Sequence, residues 1–416
     1  MPRYNFNFYS IFRIVILAII LTFYFFSIIT ISKTSTGFLD FGKFYVSANL
    51  FYQGKSIYSP ISVDAFEEVT GEIGLKITRD TMHPNLNLPP STLLFLTIGL
   101  INIRNAYILW SILSIILGLI ASWLLYNSYR DRFSRKYLIS IPIFLFAFFP
   151  TYITIIYGQV SLLLLFIIVL AWSALRSEYE IIAGIFFGFA LNIKIFTGLF
   201  LIVFLLQKRF KLIFWYVGSF LIINILAFVT FGIETYIEFI NNLSAITWYS
   251  ASWNASILGF YTRILGGSEG KPLINLPELA YGLNYASTII LLLILAWAVK
   301  TQRNKNIKMY DDLVFSLGIV FMLLLSPLGW MYYFVLLIIP VIILWQVKDT
   351  RYITYFRVLI IIAWILSSIP HVLTPSPEIK TIDMFVWGGS YFYALLLFSF
   401  LILWAILIIN QKSSKI

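Results

Sequence analysis

One polar stretch, which follows the first apolar segment, organises the chain: Thr36-Gly-Phe-Leu-Asp40-Phe-Gly-Lys-Phe-Tyr45-Val-Ser-Ala-Asn-Leu-Phe-Tyr52-Gln-Gly54. It places a carboxylate, Asp40, just past the end of a predicted membrane span. Tyr45, Tyr52 and the aromatic residues around them predict a short helix lying along the membrane surface. A carboxylate at a membrane boundary, beside aromatic residues and a Gly-Lys pair, indicates chemistry on a substrate that is partly lipid.

The composition is typical of a membrane protein with many spans. Of the 416 residues, 60% are hydrophobic and 11% are charged, whereas soluble domains carry roughly 25% charged residues. No polar linker separates two apolar parts, so we expect one integral membrane domain over residues 1–416. The absence of cysteine excludes disulfides and thiolate metal sites. The net charge is +11. Because the basic residues are distributed as membrane topology requires, we expect no nucleic-acid partner.

Hydropathy and charge together predict an all-α, polytopic protein of the plasma membrane. A span needs roughly 20 apolar residues, and about twelve segments are predicted to cross: 11–32, 105–126, 137–157, 159–175, 180–193, 195–206, 211–231, 280–299, 312–326, 331–346, 354–371 and 388–409. Most of the 29 lysines and arginines then face the cytoplasm, as the positive-inside rule requires, and both termini are cytoplasmic. Two longer segments are extracytoplasmic, residues 33–104 and residues 232–279. An interfacial helix is predicted to begin at Pro89 and Pro90.

Lys194 lies between two apolar segments that are each too short to cross the bilayer alone. We expect 180–193 and 195–206 to form a hairpin that turns below the outer surface, with Lys194 at the wall of a cavity. An ionisable residue at membrane depth is costly and by default indicates function. Snorkelling, or pairing with an acidic residue, is the alternative explanation.

Polar and aromatic residues collect on the predicted outer side, and each could have a structural role instead of a functional one. In the structural explanation, Asp40 caps a helix or pairs with Lys43. The tryptophans and tyrosines would form an interfacial belt, and Gln159 and Asn254 would satisfy broken-helix backbone. The candidate sugar, acceptor or lipid contacts are Tyr45, Tyr52, His83, Gln159, Trp253, Asn254, Trp330 and Tyr332.

No metal or other cofactor is expected. The chain has two histidines, His83 and His371, and no Asp-x-Asp motif on the predicted outer side. It also has no nucleotide-binding loop and no large cytoplasmic domain. If a sugar is transferred here, the donor should therefore be carried by a lipid.

The order of these motifs resembles glycosyltransferase family 87, the polyprenyl-phosphate-mannose-dependent mannosyltransferases of the GT-C class. The resemblance covers most of the chain and rests on these motifs: Asp40-Phe-x-x-Phe-Tyr45, Gly54, Ile57-Tyr58, His83-Pro84 to Pro89-Pro90, Gly158-Gln159, Asn192-x-Lys194, Trp253-Asn254-x-Ser256 and Ser326-Pro327-x-x-Trp330-x-x-Tyr333.

The resemblance implies a GT-C fold with an extracytoplasmic active site. It implies transfer of a hexose, most commonly mannose, from a polyprenyl-phosphate donor to a hydroxyl of a lipid or glycan acceptor, by inverting displacement. Asp40 would be the general base, and Lys194 and Arg263 would bind the donor phosphate. This is chemically consistent, because a carboxylate can take the proton of the acceptor and cations stabilise a departing phosphate.

Two other hypotheses remain open at the level of sequence. A transporter or flippase of a lipid-linked sugar would also explain an outer cavity and Lys194. The transporter hypothesis predicts that polar residues continue to the inner side of the membrane, but the cytoplasmic halves of the predicted spans carry few. A related GT-C enzyme that glycosylates protein, lipid A or a wall polymer would differ only in its acceptor.

Overall fold

The computed structural model describes residues 8–34, 39–59, 85–134, 136–244, 246–267, 272–302, 308–347, 352–370 and 389–413. These residues are mostly helical, and strand-type pairing among them is limited to an isolated antiparallel bridge between Asn254 and Trp330. In chain order the α-helices, α1 to α17, are Phe8–Thr34, Leu39–Tyr52, Pro89–Leu93, Ile103–Ser128, Tyr137–Phe146, Phe149–Ile156, Ser161–Arg176, Glu180–Ile193, Leu199–Leu206, Phe210–Phe231, Ile233–Ser244, Ile257–Leu265, Pro277–Gln302, Lys308–Leu325, Ile338–Trp345, Ile353–Leu366 and Ser390–Ser413.

Several of these helices are long and apolar enough to cross a bilayer. Within the described residues there are five, or six if one bent pair counts as a single span. The five are Phe8–Lys33, Ile103–Ser128, Phe210–Phe231, Pro277–Thr301 and Ser390–Asn410. The chain is therefore an integral membrane protein. Within the described residues, each of the twelve predicted spans falls mainly on helical residues, but twelve crossings and their orientation stay predictions.

The predicted span at 137–157 is not one straight helix. It consists of α5 and α6, bent by 63°, with Phe148 between them in an extended conformation. Pro150, in the first turn of α6, has no N–H to donate to the carbonyl of Phe146, so a straight helix would lose this hydrogen bond and the chain bends here. The Tyr24 hydroxyl donates to that Phe146 carbonyl at 2.9 Å instead.

The interfacial helix predicted at Pro89 begins there but is short. Helix α3 has five residues, with proline in its first two positions, where a missing N–H is tolerated. A 3-10 turn at Ile98–Leu100 follows. Asn102 then caps α4 by accepting a hydrogen bond from the Arg104 N–H. A location at the membrane interface stays a prediction.

The backbone contacts group the chain into two units, and a single integral membrane domain over residues 1–416 stays a prediction. The first comprises Met1–Ile195 and Phe214–Ala245, and the second comprises Phe196–Ile213 and Ile246–Ile416. In the first unit α7 packs along both α4 and α8, and α5 packs against α1 and α4. In the second unit the buried α14 packs against α13, α15 and α17.

Candidate active site

The first turn of α2 is held against the turn that follows α6. The Phe41 N–H donates to the Tyr157 carbonyl at 3.0 Å, and Trp110 Nε1 donates to the Gly158 carbonyl at 2.9 Å. Gly158 has a φ of 64°, and a Cβ there would lie 2.6 Å from Phe41 Cβ. Only glycine fits this conformation and this close approach. The turn therefore fixes Asp40, the residue before Phe41, beside Gln159.

Asp40 forms an ion pair with Lys43, one helical turn later. Lys43 Nζ lies 2.9 Å from Asp40 Oδ1, and the side chains of Lys43 and Asp40 keep 19% and 16% of their surface exposed. Burial alone would raise the pKa of Asp40, but Lys43, a hydrogen bond from Gln159 and the charge of Lys194 together hold that pKa below its ordinary value. The carboxylate is thus ionised at neutral pH. The pairing with Lys43 considered from the sequence is present.

Lys194 lies where the helical path of the chain breaks. Helix α8 ends at Ile193, and Lys194 follows in an extended conformation. Its ammonium group donates to Asn87 Oδ1 at 2.6 Å. Burial lowers the pKa of Lys194 to about 8, with the nearby Asp40 raising it and Lys43 lowering it. Asp40, Lys43 and Lys194 therefore form one electrostatically coupled cluster within the first unit.

A chain of hydrogen bonds connects the partner of Lys194 back to α2. Asn85 Oδ1 accepts from both the backbone N–H and the side-chain amide of Asn87, at 3.0 and 2.8 Å. Asn85 Nδ2 donates to Ser47 Oγ at 2.9 Å, and Ser47 Oγ donates to the Ile57 carbonyl at 2.8 Å. The helix that carries Asp40 thereby also positions the contact of Lys194. Sequence reasoning assigned neither Asn85 nor Asn87 a role, although two asparagines just before a proline pair were a signal.

The two tyrosines of α2 use their hydroxyls on the backbone of the same unit. Buried Tyr45 donates to the Ile101 carbonyl at 2.8 Å, and exposed Tyr52 donates to the Leu96 carbonyl at 3.0 Å. Their predicted role as sugar, acceptor or lipid contacts stays a prediction. So does that of His83, which lies outside the described residues.

Gln159 is the remaining polar residue at the carboxylate. Its side chain is buried, and its hydrogen bond to Asp40 helps to keep that group ionised. Its Oε1 atom is buried without a hydrogen-bond partner. Because a buried polar atom is normally paired, Gln159 has an unused acceptor beside Asp40.

In the second unit, Asn254 links the 249–256 and 326–331 segments. Its Oδ1 accepts from the N–H groups of Ser256 and Gly329 at 3.2 and 2.8 Å. Its Nδ2 donates to the carbonyls of Tyr249 and Pro327 at 2.8 and 2.9 Å. The amide is fully buried, and its two donors and two acceptor lone pairs are all used. These contacts are those of the alternative in which Asn254 satisfies irregular backbone, and its role as a sugar, acceptor or lipid contact stays a prediction.

Trp253, in the 249–256 segment, and Trp330, in the 326–331 segment, lie close to each other. Their ring centroids are 6.0 Å apart at an interplanar angle of 43°, and the Met331 N–H donates to the Trp253 carbonyl at 3.3 Å. Both rings are half-buried, as is Tyr332. The aromatic faces suit a sugar or a lipid, and these three contacts stay predictions.

Arg263, on α12, stabilises the same segment. Its Nη1 donates to the carbonyls of Ala251 and Asn254 at 2.9 and 2.8 Å, while its Nη2 is buried without a hydrogen-bond partner. Nη1 of the guanidinium is therefore occupied by two backbone carbonyls, and the unused donors are those of Nη2. Its predicted role in binding the donor phosphate stays a prediction.

Comparison with known proteins gives one family match. Glycosyltransferase family 87 matches residues 86–327, which is more than half of the chain and includes Lys194 and Asn87 but not Asp40. A comparison with curated proteins gives no match. The chain belongs to glycosyltransferase family 87 and is a membrane glycosyltransferase.

Proposed function

We propose that the protein transfers a hexose, mannose in the first instance, from a polyprenyl-phosphate donor to an acceptor hydroxyl at the extracytoplasmic face. The observation that carries the proposal is the coupled cluster of Asp40, Lys43 and Lys194 in the first unit. It combines an ionised carboxylate with ammonium groups, so that one group accepts a proton and another binds an anion.

The reaction is an inverting single displacement. The acceptor oxygen attacks the anomeric carbon as Asp40 takes its proton, because a carboxylate in hydrogen-bond reach is an effective general base. The bond between the anomeric carbon and the phosphate oxygen breaks, and its electron pair leaves with the phosphate. Lys194 stabilises the charge that develops on this leaving group. This reaction needs one carboxylate, whereas glycoside hydrolysis uses two.

The anion-binding role of Lys194 is supported by how the residue is held. Its ammonium is half-buried and oriented by a hydrogen bond to the neutral amide of Asn87. A cation oriented in advance loses little free energy to reorganisation when it meets developing negative charge.

Within the described residues, no group of three or more His, Cys, Asp or Glu side chains is placed to hold a metal ion.

The glycosyltransferase hypothesis is favoured over the transporter hypothesis by the family match. The two differ in outcome, since a transporter moves the lipid-linked sugar without forming a new glycosidic bond. Purified protein in liposomes should be incubated with labelled polyprenyl-phosphate-hexoses and a panel of lipid acceptors. A labelled glycolipid product supports transfer; labelled donor that changes leaflet without product would support the transporter.

A further inference from the structure

Lys194 carries its charge at the end of a long, flexible side chain, so the location of the ammonium depends on what holds the two ends of that side chain. The backbone end follows α8, where the Lys194 N–H donates to the Ala190 carbonyl at 2.9 Å. The ammonium end donates to Asn87 Oδ1 at 2.6 Å. Contacts with one helix, α11, support both ends.

The end of α8 is joined to α11 by side-chain hydrogen bonds that pass through α10. The Tyr236 hydroxyl, on α11, donates to the Asn224 carbonyl at 2.9 Å and to Asn224 Oδ1 at 3.2 Å. Asn224 Nδ2, on α10, donates to Asn192 Oδ1 at 2.7 Å, and Asn192 Nδ2 donates to the Gly188 carbonyl at 2.9 Å. Asn192 is buried and lies two residues before Lys194. The network therefore fixes the last turn of α8, from which Lys194 follows.

The segment that carries Asn87 is held by Glu238 and Phe239 of the same α11. Glu238 accepts a hydrogen bond from the Ser56 hydroxyl, and Ser56 Oγ accepts from the Tyr58 N–H at 3.2 Å. Phe239 packs on Tyr58, with ring centroids 5.9 Å apart. The Tyr58 hydroxyl donates to the Asn87 carbonyl. Helix α11 therefore supports the backbone of Asn87, whose side chain orients the ammonium.

The two sets of contacts come together at Tyr58. Burial raises the pKa of Tyr58, and the nearby Tyr236 and Glu238 raise it further. Because the hydroxyl stays protonated into alkaline solution, it remains a hydrogen-bond donor to the Asn87 carbonyl.

We propose that helix α11 positions Lys194 for the donor phosphate, with Tyr236 and Glu238 as its two positioning residues. This rests on the proposed function and deepens it, because it identifies what holds the phosphate ligand in place. Neither residue needs to contact the donor, since each acts through an asparagine, Asn192 or Asn87. The alternative is a role in packing alone, because polar side chains commonly join helices within a membrane.

A double-mutant cycle with Lys194→Met separates the two roles. Full-length protein in nanodiscs should be titrated with a short polyprenyl phosphate and with the matching polyprenol, well below pH 8, so that Lys194 is charged. Tyr236→Phe and Glu238→Ala should each weaken phosphate binding by about threefold to tenfold, the equivalent of one hydrogen bond, without changing polyprenol binding. In the Lys194→Met background neither substitution should weaken phosphate binding further.

Three variants serve as controls for these substitutions. Glu238→Gln keeps an acceptor for the Ser56 hydroxyl and should retain most of the phosphate affinity. Tyr179→Phe, just before α8, and Glu234→Ala, on α11, are at exposed positions and should bind like the wild type.

Hydrogen–deuterium exchange without donor tests the positioning independently of the reaction. Amide exchange should be faster than in the wild type around Asn87 in Glu238→Ala, and around Asn192 in Tyr236→Phe. Unchanged exchange in both variants, or an equal loss of phosphate affinity in the Lys194→Met background, would overturn the proposal. Faster exchange together with Lys194→Met protein that binds the phosphate as tightly as the wild type would instead contradict the proposed function, in which Lys194 binds the phosphate.

Discussion

The Lys194 ammonium lies 2.6 Å from Oδ1 of Asn87, a residue 107 positions away along the chain. Asn87 is itself held by Asn85, which bonds to Ser47 on the helix that carries Asp40. A neutral amide orients the cation without cancelling its charge. The proposed phosphate ligand and the proposed base therefore share one scaffold, and a change in the asparagine chain should affect donor binding first.

Removing the amide of Asn87 should weaken donor binding. In Asn87→Ala the Lys194 ammonium loses this hydrogen bond and is less firmly oriented, so we expect the KM for the donor to rise about tenfold, the equivalent of about 1.4 kcal/mol, with a smaller change in kcat. Steady-state transfer in liposomes at varied donor concentration measures both. Asn241→Ala, on the exposed face of α11, is the control. A donor KM equal to that of the wild type would remove Asn87 from the site.

Donor binding should weaken in alkaline solution. Burial lowers the pKa of Lys194 from 10.5 to about 8, so the residue is an ammonium below pH 8 and loses its charge as the pH rises through this value. The KM for the donor should then rise above pH 8, up to about tenfold per pH unit because protonation falls at that rate. Lys194→Arg, which stays charged, should show no such rise. A wild-type KM that stays flat to pH 10 contradicts the proposed role.

The Gly158 turn should be intolerant of a side chain. Gly158→Ala introduces a Cβ 2.6 Å from Phe41 Cβ at a φ of 64°, so it should both strain the backbone and displace the start of α2. We expect a lower temperature of thermal unfolding in detergent and slower transfer. Gly54→Ala is a matched control, because its φ is 68° but nothing lies within 4 Å of the added Cβ.

Comparison with Gly54→Ala separates the effect of the steric contact with Phe41 from the effect of backbone strain. A positive φ costs roughly 1–2 kcal/mol for a non-glycine residue, and Gly54→Ala should show only this cost while transferring sugar at the wild-type rate. If both variants lose the same stability and retain the same transfer rate, the contact with Phe41 does not position Asp40.

Asn254 should behave as a structural residue. Asn254→Ala removes the partner of the Ser256 and Gly329 N–H groups and of the Tyr249 carbonyl, whereas the Pro327 carbonyl still accepts from Ser256 Oγ. Each buried group that is left unpaired costs about 1–3 kcal/mol. Thermal unfolding should therefore occur at a clearly lower temperature, whereas Asn275→Ala, at an exposed position, should unfold like the wild type. Wild-type stability with a raised KM for the acceptor would point to a sugar contact instead.

Hydropathy located the helices and the break at Lys194, but not the bend between α5 and α6. The predicted span at 211–231 corresponds to Phe210–Phe231, and that at 280–299 lies within Pro277–Gln302, because long apolar runs have few alternatives to a helix in lipid. The bend between α5 and α6 was missed. It follows from Pro150 and from the Tyr24 hydroxyl that takes over the Phe146 carbonyl, a contact across 122 positions.

The candidate site could be predicted only for residues whose charge is conspicuous in an apolar sequence. Asp40 and Lys194 stood out, and the structure couples them electrostatically. Lys43 was visible only as an alternative partner of Asp40. Asn85 and Asn87 gave only a weak signal, as two asparagines just before a proline pair, since uncharged amides are common in loops. Their importance depends on tertiary hydrogen bonds that no local pattern encodes.

The central claim is that Asp40 accepts the proton of the acceptor in a cluster that also binds the donor phosphate. The most direct measurement is single-turnover transfer from a labelled polyprenyl-phosphate-hexose by Asp40→Asn protein that has been shown to bind the donor. Asparagine keeps the size of the side chain but cannot take a proton. The account predicts bound donor and a transfer rate at least 100-fold below the wild type, consistent with the usual contribution of a general base. Transfer at the wild-type rate would contradict it.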